Sequence, residues 1–562
     1  MISTAFRISA LAWAAAACAV APAGSCFAAP AMISNVHGYT LTDGQLQQFD
    51  AMAFDAGKVL ATGSHAALAA KYPHAQNIDG NGATLLPGLI DAHGHVTALG
   101  EFGTRVSLFD TTSLREAQAR IKAFAGAHPE RAWIQGGGWN QVNWKLGRFP
   151  TAAELDAVVA DRPVVLSRID GHASWLNTKA MHAAGIDKNS KDPQGGRIER
   201  NAQGIPTGIL LDNAQLQIAA VIPVPTDAER RSTLTAALAD LNSVGLTSVG
   251  DAGVTAREVA LYRQFADGGA LTVRVYAMIL DTGNDFKALS KHGPLIGYGN
   301  DRLTVRAVKL ISDGALGSRG AAMLAPYSDQ ANQFGLLRMT APVIEEKIQS
   351  ALAAGYQVNV HAIGDAANRQ VLDAFEQAYM AVGGRELRNR IEHAQIVALS
   401  DIPRFKQLDL IASMQPTHAT SDMNMAQDRI GAERLKGAYA WRTFLAQGTV
   451  ISGGSDFPVE SDNPFFGLYS AVTRSDHAGN PKGGWHSEQA MTLLEAFRAF
   501  TVDAAFAQHQ EKSVGSLEPG KWADFILIDR DLFKIPAEDI WKINVKQTWV
   551  GGTKVFEASG AT

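Results

Sequence analysis

Two histidines, His93 and His95, stand two positions apart after the apolar run Leu86–Ile90. In a β-strand, residues i and i+2 point to the same side, so both imidazoles would face one point at the end of the strand. Neutral imidazole is a common nitrogen ligand of zinc-like ions. Because such a pair also arises by chance on protein surfaces, other residues must complete the ligand set before it indicates a metal site.

Four later residues could complete that set. His361, His393 and Asp456 each end a short, mostly apolar segment, and so does Lys309. A lysine facing a dication is repelled as ammonium, and its free amine can react with carbon dioxide to give a carbamate that bridges two ions. Simpler interpretations stay open: core histidines, a lysine that extends to solvent, and an aspartate that caps a helix.

Strand-like segments alternate with helical patterns along most of the chain, which favours an α/β fold built on a (β/α)₈ TIM-like barrel. The predicted strands cover residues 84–90, 246–250, 272–279, 304–310, 356–361, 389–393, 410–415 and 449–455. The candidate ligands lie at the C-terminal ends of the first, fourth, fifth, sixth and eighth strands. Active sites of such barrels lie on that face, so the ligand set and the fold support each other.

Six segments resemble one known family. They are residues 84–95, 308–319, 360–365, 390–395, 452–458 and 521–524. Together they are similar to the amidohydrolase superfamily, specifically amidohydrolase family 3, the YtcJ-like group that includes N-substituted formamide deformylases. The resemblance extends over roughly residues 33–556.

The resemblance implies a metal-dependent amidohydrolase that cleaves carbon–nitrogen bonds of non-peptide amides, such as N-formyl or N-acyl compounds. It implies two divalent ions, with zinc expected, held by His93, His95, an N6-carboxylysine at Lys309, and three further residues: His361, His393 and Asp456. Metal-bound hydroxide would attack the amide carbon, because metal binding lowers the pKa of water from ~15.7 toward ~7. Asp456 would be the general acid/base.

Three parts of the chain do not belong to the predicted barrel of residues 84–504. Residues 1–28 resemble a cleavable signal peptide, with Arg7 before a short apolar run and small residues before a cleavage point after Ala28; an N-terminal anchor that stays uncleaved is the alternative. Residues 29–83 and 505–562 contain short alternating strands, and the family resemblance implies that they pair into one β-sandwich. Residues 104–240 interrupt the strand–helix repeat and are predicted to form an inserted α/β subdomain over the barrel mouth.

Four residues are candidates for contact with substrate. His172, in the insertion, could reach the substrate carbonyl and take part in catalysis, or lie on the surface. Arg319 could bind a substrate anion or only fasten its loop. Trp139 follows a glycine run that could form a lid, with core packing as the alternative, and Gln415 follows the seventh strand, where it could line the mouth.

Composition narrows the partners and the compartment. The formal net charge is −5 and no basic run occurs, which argues against nucleic acid. Both cysteines, Cys18 and Cys26, lie within the predicted signal, so the mature chain would have none, which suits an exported protein in the periplasm or outside the cell. We therefore expect a small-molecule amide as the partner and no stable membrane insertion after cleavage, with a homodimer left open.

Other activities occur on the same scaffold. A lactonase, a cyclic amidase, a dipeptidase or a deaminase would share the barrel, although Lys309 argues against a deaminase, which usually uses one metal and no carboxylated lysine. A non-catalytic metal-binding protein would be expected to lack ligands, and this chain has every one.

Overall fold

The computed structural model describes residues 30–102 and 104–559. These residues form a barrel sheet, a sheet shared by the two chain ends, and a third sheet inserted between the first two barrel strands. The signal sequence predicted at residues 1–28 lies outside the described residues. Among the helices that the structure describes, none combines the length and the apolar character needed to span a membrane.

Eight parallel strands form the barrel, as predicted. In order around the sheet they are Leu89–Gly94, Leu246–Val254, Arg274–Leu280, Leu303–Ile311, Gln357–Ala362, Arg390–His393, Ile411–Met414 and Ile451–Gly453, with Leu295–Gly297 added antiparallel to the fourth strand. The segment after the last strand meets the first strand: the Asp456 amide donates to the His93 carbonyl (2.7 Å), and the His95 amide donates to the Phe457 carbonyl (2.8 Å). These bonds bring both ends of the sheet together.

Helices surround the barrel and bury the outward faces of its strands. They are Val96–Phe102, Asp227–Ser243, Ala256–Asp267, Asn284–Leu289, Tyr298–Asp301, Ala341–Ala353, Asp365–Val382, Ile402–Gln407, Pro416–Asp422, Ala426–Leu435, Trp441–Ala446, Pro464–Thr473, Leu493–Ala499 and Val502–Ala507, with 3₁₀ turns at Ser290–His292, Arg385–Leu387 and Ser487–Gln489. Several begin at capping boxes, for example Thr255 with Glu258, which satisfy amides that the first turn leaves unpaired. Val358 and Ile391 of the strands pack with Phe375 of a helix in one apolar core.

The two chain ends form one sheet that folds over on itself, which confirms the predicted terminal β-sandwich. Its strands are Ala31–Thr42, Gln45–Asp55, Lys58–Gly63, Gln76–Asp79, Thr84–Pro87, Phe525–Ile528, Val545–Val550 and Thr553–Glu557, with helix His65–Lys71 and the 3₁₀ segment Ala537–Lys542 beside them. The Phe54 ring lies 5.9 Å from that of Phe525 and 6.3 Å from that of Trp549. The strand that contains Phe54 is not a neighbour of either of the other two strands in the sheet. The layers thus enclose a separate apolar core.

Two predicted boundaries of the terminal sheet need correction. Thr84–Pro87 pairs with Phe525–Ile528, so the predicted strand 84–90 is divided between two sheets. The change occurs at Gly88, where a Cβ atom would come within 2.1 Å of the Thr247 hydroxyl, so only glycine fits. At the other end, residues 505–514 pack beneath the first barrel strand, and the sandwich core begins only at Leu517.

The inserted subdomain lies between the first two barrel strands, as predicted. Its sheet contains Val106–Ser107, Ile134–Trp139, Val164–Arg168, Ala173–Leu176, Gly196–Arg200 and Pro206–Asp212, and its helices are Leu114–Ala127, Ala152–Asp156, Thr178–Ala183 and Leu216–Ala219, with a 3₁₀ turn at Asn213–Gln215. The predicted C-terminal limit at residue 240 is too late. Helix Asp227–Ser243 packs against Val96–Phe102 and buries Leu238 and Leu241 in the barrel core, so it belongs to the barrel.

Candidate metal centre and active site

All six predicted ligands meet at the C-terminal face of the barrel. One ligand atom each from His93, His393 and Asp456 lies within 4.8 Å of the others. The ring centroids of His361 and His393 are 4.5 Å apart. The Nζ atom of Lys309 lies 3.0 Å from Nε2 of His93, and Nε2 of His95 lies 3.0 Å from Oδ1 of Asp456.

A buried carboxylate orients His93. Its Nδ1 lies 2.5 Å from Oε2 of Glu392, whose other oxygen lies 2.6 Å from the guanidinium of Arg390. Burial first, and then the nearby Lys309, lowers the pKa of His93 to about 4, so the ring is neutral near pH 7. With its hydrogen on Nδ1, the ring presents the lone pair of Nε2 to the site, as a metal ligand requires.

An amide has the same function for His393. The side-chain oxygen of Gln415 lies 2.8 Å from Nδ1 of His393 and accepts its hydrogen, which leaves Nε2 for a ligand. Gln415 is buried and lines neither cavity of the site, so the structure supports a role in orienting His393 rather than the predicted contact with substrate. Its side chain reaches the outer side of the histidine instead.

His361 is held by the loop that follows the fourth strand. Its carbonyl accepts from the Ser312 hydroxyl, and its Nε2 lies 3.3 Å from the carboxylate of Asp313. That carboxylate accepts from the amides of Ala322, Ile363 and Gly364 at 2.8–3.0 Å, which fixes both loops around the ring. Burial lowers the pKa of His361 well below its ordinary value.

Lys309 is a buried lysine without a salt bridge. Its side chain ends beside His93, and no carboxylate of the described residues lies within the 4.0 Å expected for an ion pair. Burial lowers the pKa of its amine to about 8. Burial makes the ammonium form costly, so this position raises the fraction of uncharged amine, the form that can be chemically modified.

Asp456 does not cap a helix. The next helix begins only at Pro464, and the carboxylate points to the histidines, with Oδ1 3.4 Å from Nε2 of His93. Burial raises its pKa, but the contacts with His95 and His93 outweigh this and hold the pKa well below the ordinary value. Behind it, the carboxylate of Asp91 accepts from the amide and hydroxyl of Ser455 and from the His93 amide, so it joins the first and last strands.

The unpaired atoms of this cluster fit a metal. Among the described residues, Nε2 of His361, Nε2 of His418 and Oδ1 of Asp456 are buried and make no hydrogen bond of good geometry, although other polar atoms of the site lie near them. Buried polar atoms are nearly always paired, so three such atoms in one cluster fit a site that binds a ligand. Imidazole nitrogens and a carboxylate oxygen are the donor set that zinc and related ions take.

The inserted subdomain contributes His172. Its Nδ1 lies 2.8 Å from Oδ1 of Asp212, and its ring centroid lies 5.1 Å from that of His361. Burial lowers the pKa of His172, but the hydrogen bond and charge of Asp212 outweigh burial, and the net shift is upward. His172 therefore lies beside the metal-ligand candidates. This is the position that a substrate-binding residue would need.

For two other candidate substrate contacts, the structure favours the alternative interpretation that the sequence left open. Arg319 forms an ion pair with Asp329 (2.9 Å), which also pairs with Arg429, so its charge fastens a loop. Trp139 is 0% exposed: its ring packs with Trp144 and Trp175 in the insertion core, and its Nε1 donates to a backbone carbonyl. Neither residue lines the cavities of the site.

Some residues of the site were not predicted. The ring of His418 is stacked on that of His393 with centroids 5.8 Å apart, and its Nε2 lies 3.8 Å from Oδ2 of Asp456. Glu392 and Asp212 each orient a histidine. The available signal for Glu392 was the charged pair Arg390-x-Glu392 in an apolar strand, while His418 had only its position after the seventh strand.

Two cavities open from the ligand cluster. The first, of about 450 Å³, we call the polar chamber after five of the side chains that line it beyond the cluster: Gln395, His418, Asp422, Asn424 and Glu460. The second, of about 390 Å³, we call the hydrophobic chamber: Ala98, Phe102, Leu280, Ile311 and Pro458. His172, His361, His393 and Asp456 line both.

Comparison with known proteins agrees with this geometry. A family model described as "Amidohydrolase family" matches residues 76–556. The chain belongs to the amidohydrolase family. It is 32% identical over 524 residues to the Bacillus subtilis protein YtcJ, in a match that covers 91% of this chain and 96% of that protein. The resemblance inferred from the six motifs is thereby confirmed.

Further amidohydrolase relatives carry more specific descriptions. The chain is 28% identical to the N-substituted formamide deformylase of Arthrobacter pascens, over 94% of this chain and 99% of that enzyme. The crystal structure of an uncharacterized metal-dependent hydrolase from Pyrococcus horikoshii superposes with a TM-score of 0.74 at 27% identity, covering 90% of this chain and 99% of the other. The protein is accordingly a metal-dependent hydrolase of the amidohydrolase family, acting on a small-molecule substrate.

Proposed function

We propose that the protein hydrolyses carbon–nitrogen bonds of non-peptide amides, including N-formyl or N-acyl compounds. The observation that supports this most is the position of Asp456, a carboxylate among four imidazoles at the barrel mouth with one oxygen left unpaired. Amide cleavage needs a group that moves a proton to a poor leaving group, and this carboxylate is placed to do so. The Arthrobacter relative, whose name gives N-substituted formamides as substrates, supports the same bond type.

Two divalent ions, most simply zinc, are proposed as cofactors. His93, His95, Lys309, His361, His393 and Asp456 would hold them. Lys309 is proposed to be N6-carboxylated, because a carbamate would replace an isolated buried amine by an anion whose two oxygens suit two ions. When bound, the ions would supply an activated water and polarise the substrate carbonyl.

The side chains have separate roles in the proposed reaction. Asp456 accepts a proton from the attacking water and delivers it to the nitrogen of the leaving amine. His172, held by Asp212 through Nδ1, has its other nitrogen left for the carbonyl oxygen of the substrate. Glu392 and Gln415 keep His93 and His393 oriented with their Nε2 atoms toward the site.

Metal analysis combined with an amide panel tests this function. Protein purified without chelator is expected to contain about two equivalents of zinc, and to release amine from some N-acyl or N-formyl compounds. Lactones and dipeptides of similar size serve as controls for the other activities of the scaffold. Turnover of lactones alone, or a fully active enzyme with one ion or none, would contradict the proposal.

We also propose that the protein is exported. The support is the sequence of residues 1–28, with its basic start, short apolar run and small residues before Ala29. Expression in a Gram-negative host followed by fractionation is expected to place the protein in the periplasm, with Ala29 as the mature N-terminus. Recovery of the full-length chain from the cytoplasm alone would contradict export.

A further inference from the structure

The segment 168–172 of the inserted subdomain lies between the two chambers. Arg168, Ile169, Asp170 and His172 line both cavities, as do His361, His393 and Asp456 of the barrel. The cavities therefore extend in two directions from the same reacting centre. A substrate bound there has room for a substituent on each side of the bond that is cleaved.

Several contacts hold this segment in place. The Arg168 guanidinium pairs with Asp170, and its Nε donates to the Gln141 side chain at 2.8 Å. Asp170 also accepts from the His172 amide at 3.1 Å. On the barrel side, a Cβ at Gly317 would come within 2.7 Å of the Arg168 guanidinium, so the two parts are in close contact. These contacts fix segment 168–172 in its position between the two chambers.

The two chambers differ in the charge of the side chains that line them away from the ligands. Away from the ligands, the hydrophobic chamber presents Phe102, Leu280 and Ile311, and its Glu101 and Arg105 neutralise each other at 2.7 Å. The polar chamber presents Asp422 and Glu460, and among its lining residues the only arginine or lysine is Arg168, which is paired with Asp170. An apolar group is favoured in the first chamber and a cationic or hydrogen-bond-donating group in the second.

We infer that the substrate is an N-acyl amide with two extended arms: an aliphatic or aromatic acyl chain in the hydrophobic chamber and an amine arm that carries a positive charge in the polar chamber. This inference rests on the proposed amide hydrolysis and narrows it. An N-formyl group has only hydrogen on the carbonyl carbon and would leave the hydrophobic chamber without a substituent. The amine product is itself protonated at neutral pH, which matches the carboxylates of the polar chamber.

The reaction is an ordinary hydrolysis. The carbonyl carbon gains the oxygen of water, the carbon–nitrogen bond breaks, and the nitrogen takes both protons of that water. The products are a carboxylate, left in the hydrophobic chamber, and an ammonium ion, left in the polar chamber. No further reactant is required.

A substrate series tests the hydrophobic chamber. We expect the kcat/KM of the N-hexanoyl derivative of 1,4-diaminobutane to exceed that of the N-formyl derivative at least about tenfold. Leu280→Trp would fill the chamber from its rim, where Leu280 is 43% exposed, and should remove most of this preference. Leu324→Trp is the matched control, because Leu324 is 44% exposed and lines neither chamber.

A second pair of variants tests the polar chamber. Glu460→Gln should reduce the preference for a hexanoyl amide of 1,4-diaminobutane over the hexanoyl amide of butylamine by at least about threefold, since one carboxylate charge is removed. Glu433→Gln is the control, because its side chain is 85% exposed and pairs with Lys436. If wild type, Glu460→Gln and Glu433→Gln show the same preference between the two hexanoyl amides, the assignment of the amine arm is overturned.

Calorimetry separates failure of this inference from failure of the proposed function. Binding of alkanoates from acetate to octanoate to the zinc-loaded protein should tighten with chain length, and Leu280→Trp should abolish that trend. If no amide is hydrolysed but the trend is present, the reaction class is wrong and the chamber assignment stands. A flat trend, or an N-formyl compound preferred over its N-hexanoyl counterpart, overturns the two-armed substrate.

Discussion

Nδ1 of His93 lies 2.5 Å from Oε2 of Glu392, and neither side chain is exposed to solvent. Glu392 in turn lies against Arg390, which is also fully buried and donates from Nη2 to the carbonyl of Ala92. The first ligand is therefore oriented by a carboxylate that an arginine inside the barrel keeps ionised. Loss of a partner of this kind typically costs about 10–100-fold in metal affinity or activity.

Glu392→Gln should weaken zinc binding by about 10–100-fold, because the amide is a poorer acceptor and leaves the Arg390 charge unpaired. A competition titration with a chromophoric chelator measures this directly. Glu511→Gln is the control: it breaks the Arg388–Glu511 pair at the opposite end of the barrel. Unchanged zinc affinity in Glu392→Gln, with both variants folded, would mean that His93 is not a ligand.

Lys309→Ala should lose most of the metal, and short carboxylic acids added with zinc should restore part of it by supplying the missing anion. In the intact protein, incubation with ¹³C-bicarbonate should give a carbamate carbon signal that Lys309→Ala lacks. Lys436→Ala is the control, since the side chain of Lys436 is 58% exposed and pairs with Glu433 on the surface. Full zinc content in Lys309→Ala, or no carbamate signal in the intact protein, would contradict carboxylation.

Strand ends could be predicted from the sequence, whereas the direction of a side chain at a strand end could not. His361 and His393 were placed in advance because each ends an apolar strand, and the C-terminal ends of barrel strands meet at one face. Regular alternation would put His393 on the side of Ile391, among the surrounding helices. It reaches the site because its backbone is left-handed, with φ at +74°.

Polar residues next to the ligands were harder to assign for a related reason. Gln415 follows a strand just as a substrate-binding residue would, and only the 2.8 Å contact with His393 shows its actual position. Trp139 follows a glycine run, but its ring packs with the other tryptophans in the core of the insertion. In both cases a tertiary contact far along the chain decides the environment, and a local pattern carries no information about it.

Stability should depend on pH through Asp462. Burial, and then the nearby Asp240, raises the pKa of this carboxyl to about 7, and its Oδ2 has no hydrogen-bond partner among the described residues. Between the ordinary aspartate pKa near ~4 and about 7, the folded state therefore binds more protons than the unfolded state, so stability falls as pH rises. Asp462→Asn should accordingly raise Tm at pH 8 and change it little at pH 4.

Melting curves of the wild type and Asp462→Asn between pH 4 and pH 8 measure this effect. Asp161→Asn is the control, because the side chain of Asp161 is 74% exposed on the surface. The difference in Tm between wild type and Asp462→Asn should grow as pH increases. A constant difference across this range would show that the carboxyl does not titrate there in the folded protein.

Asp456→Asn and His172→Ala distinguish the barrel from the insertion as the source of the proton-transfer group. Asp456→Asn should retain most of the bound zinc, because other ligands remain, but lower kcat by about 10²–10⁴-fold, the usual contribution of general acid–base catalysis. His172→Ala, and Asp212→Asn behind it, should affect KM and kcat more modestly, since both act on the carbonyl oxygen. Zinc analysis of each variant, followed by steady-state kinetics, measures both quantities. Near-normal turnover in Asp456→Asn together with loss of activity in His172→Ala would place the proton carrier in the inserted subdomain.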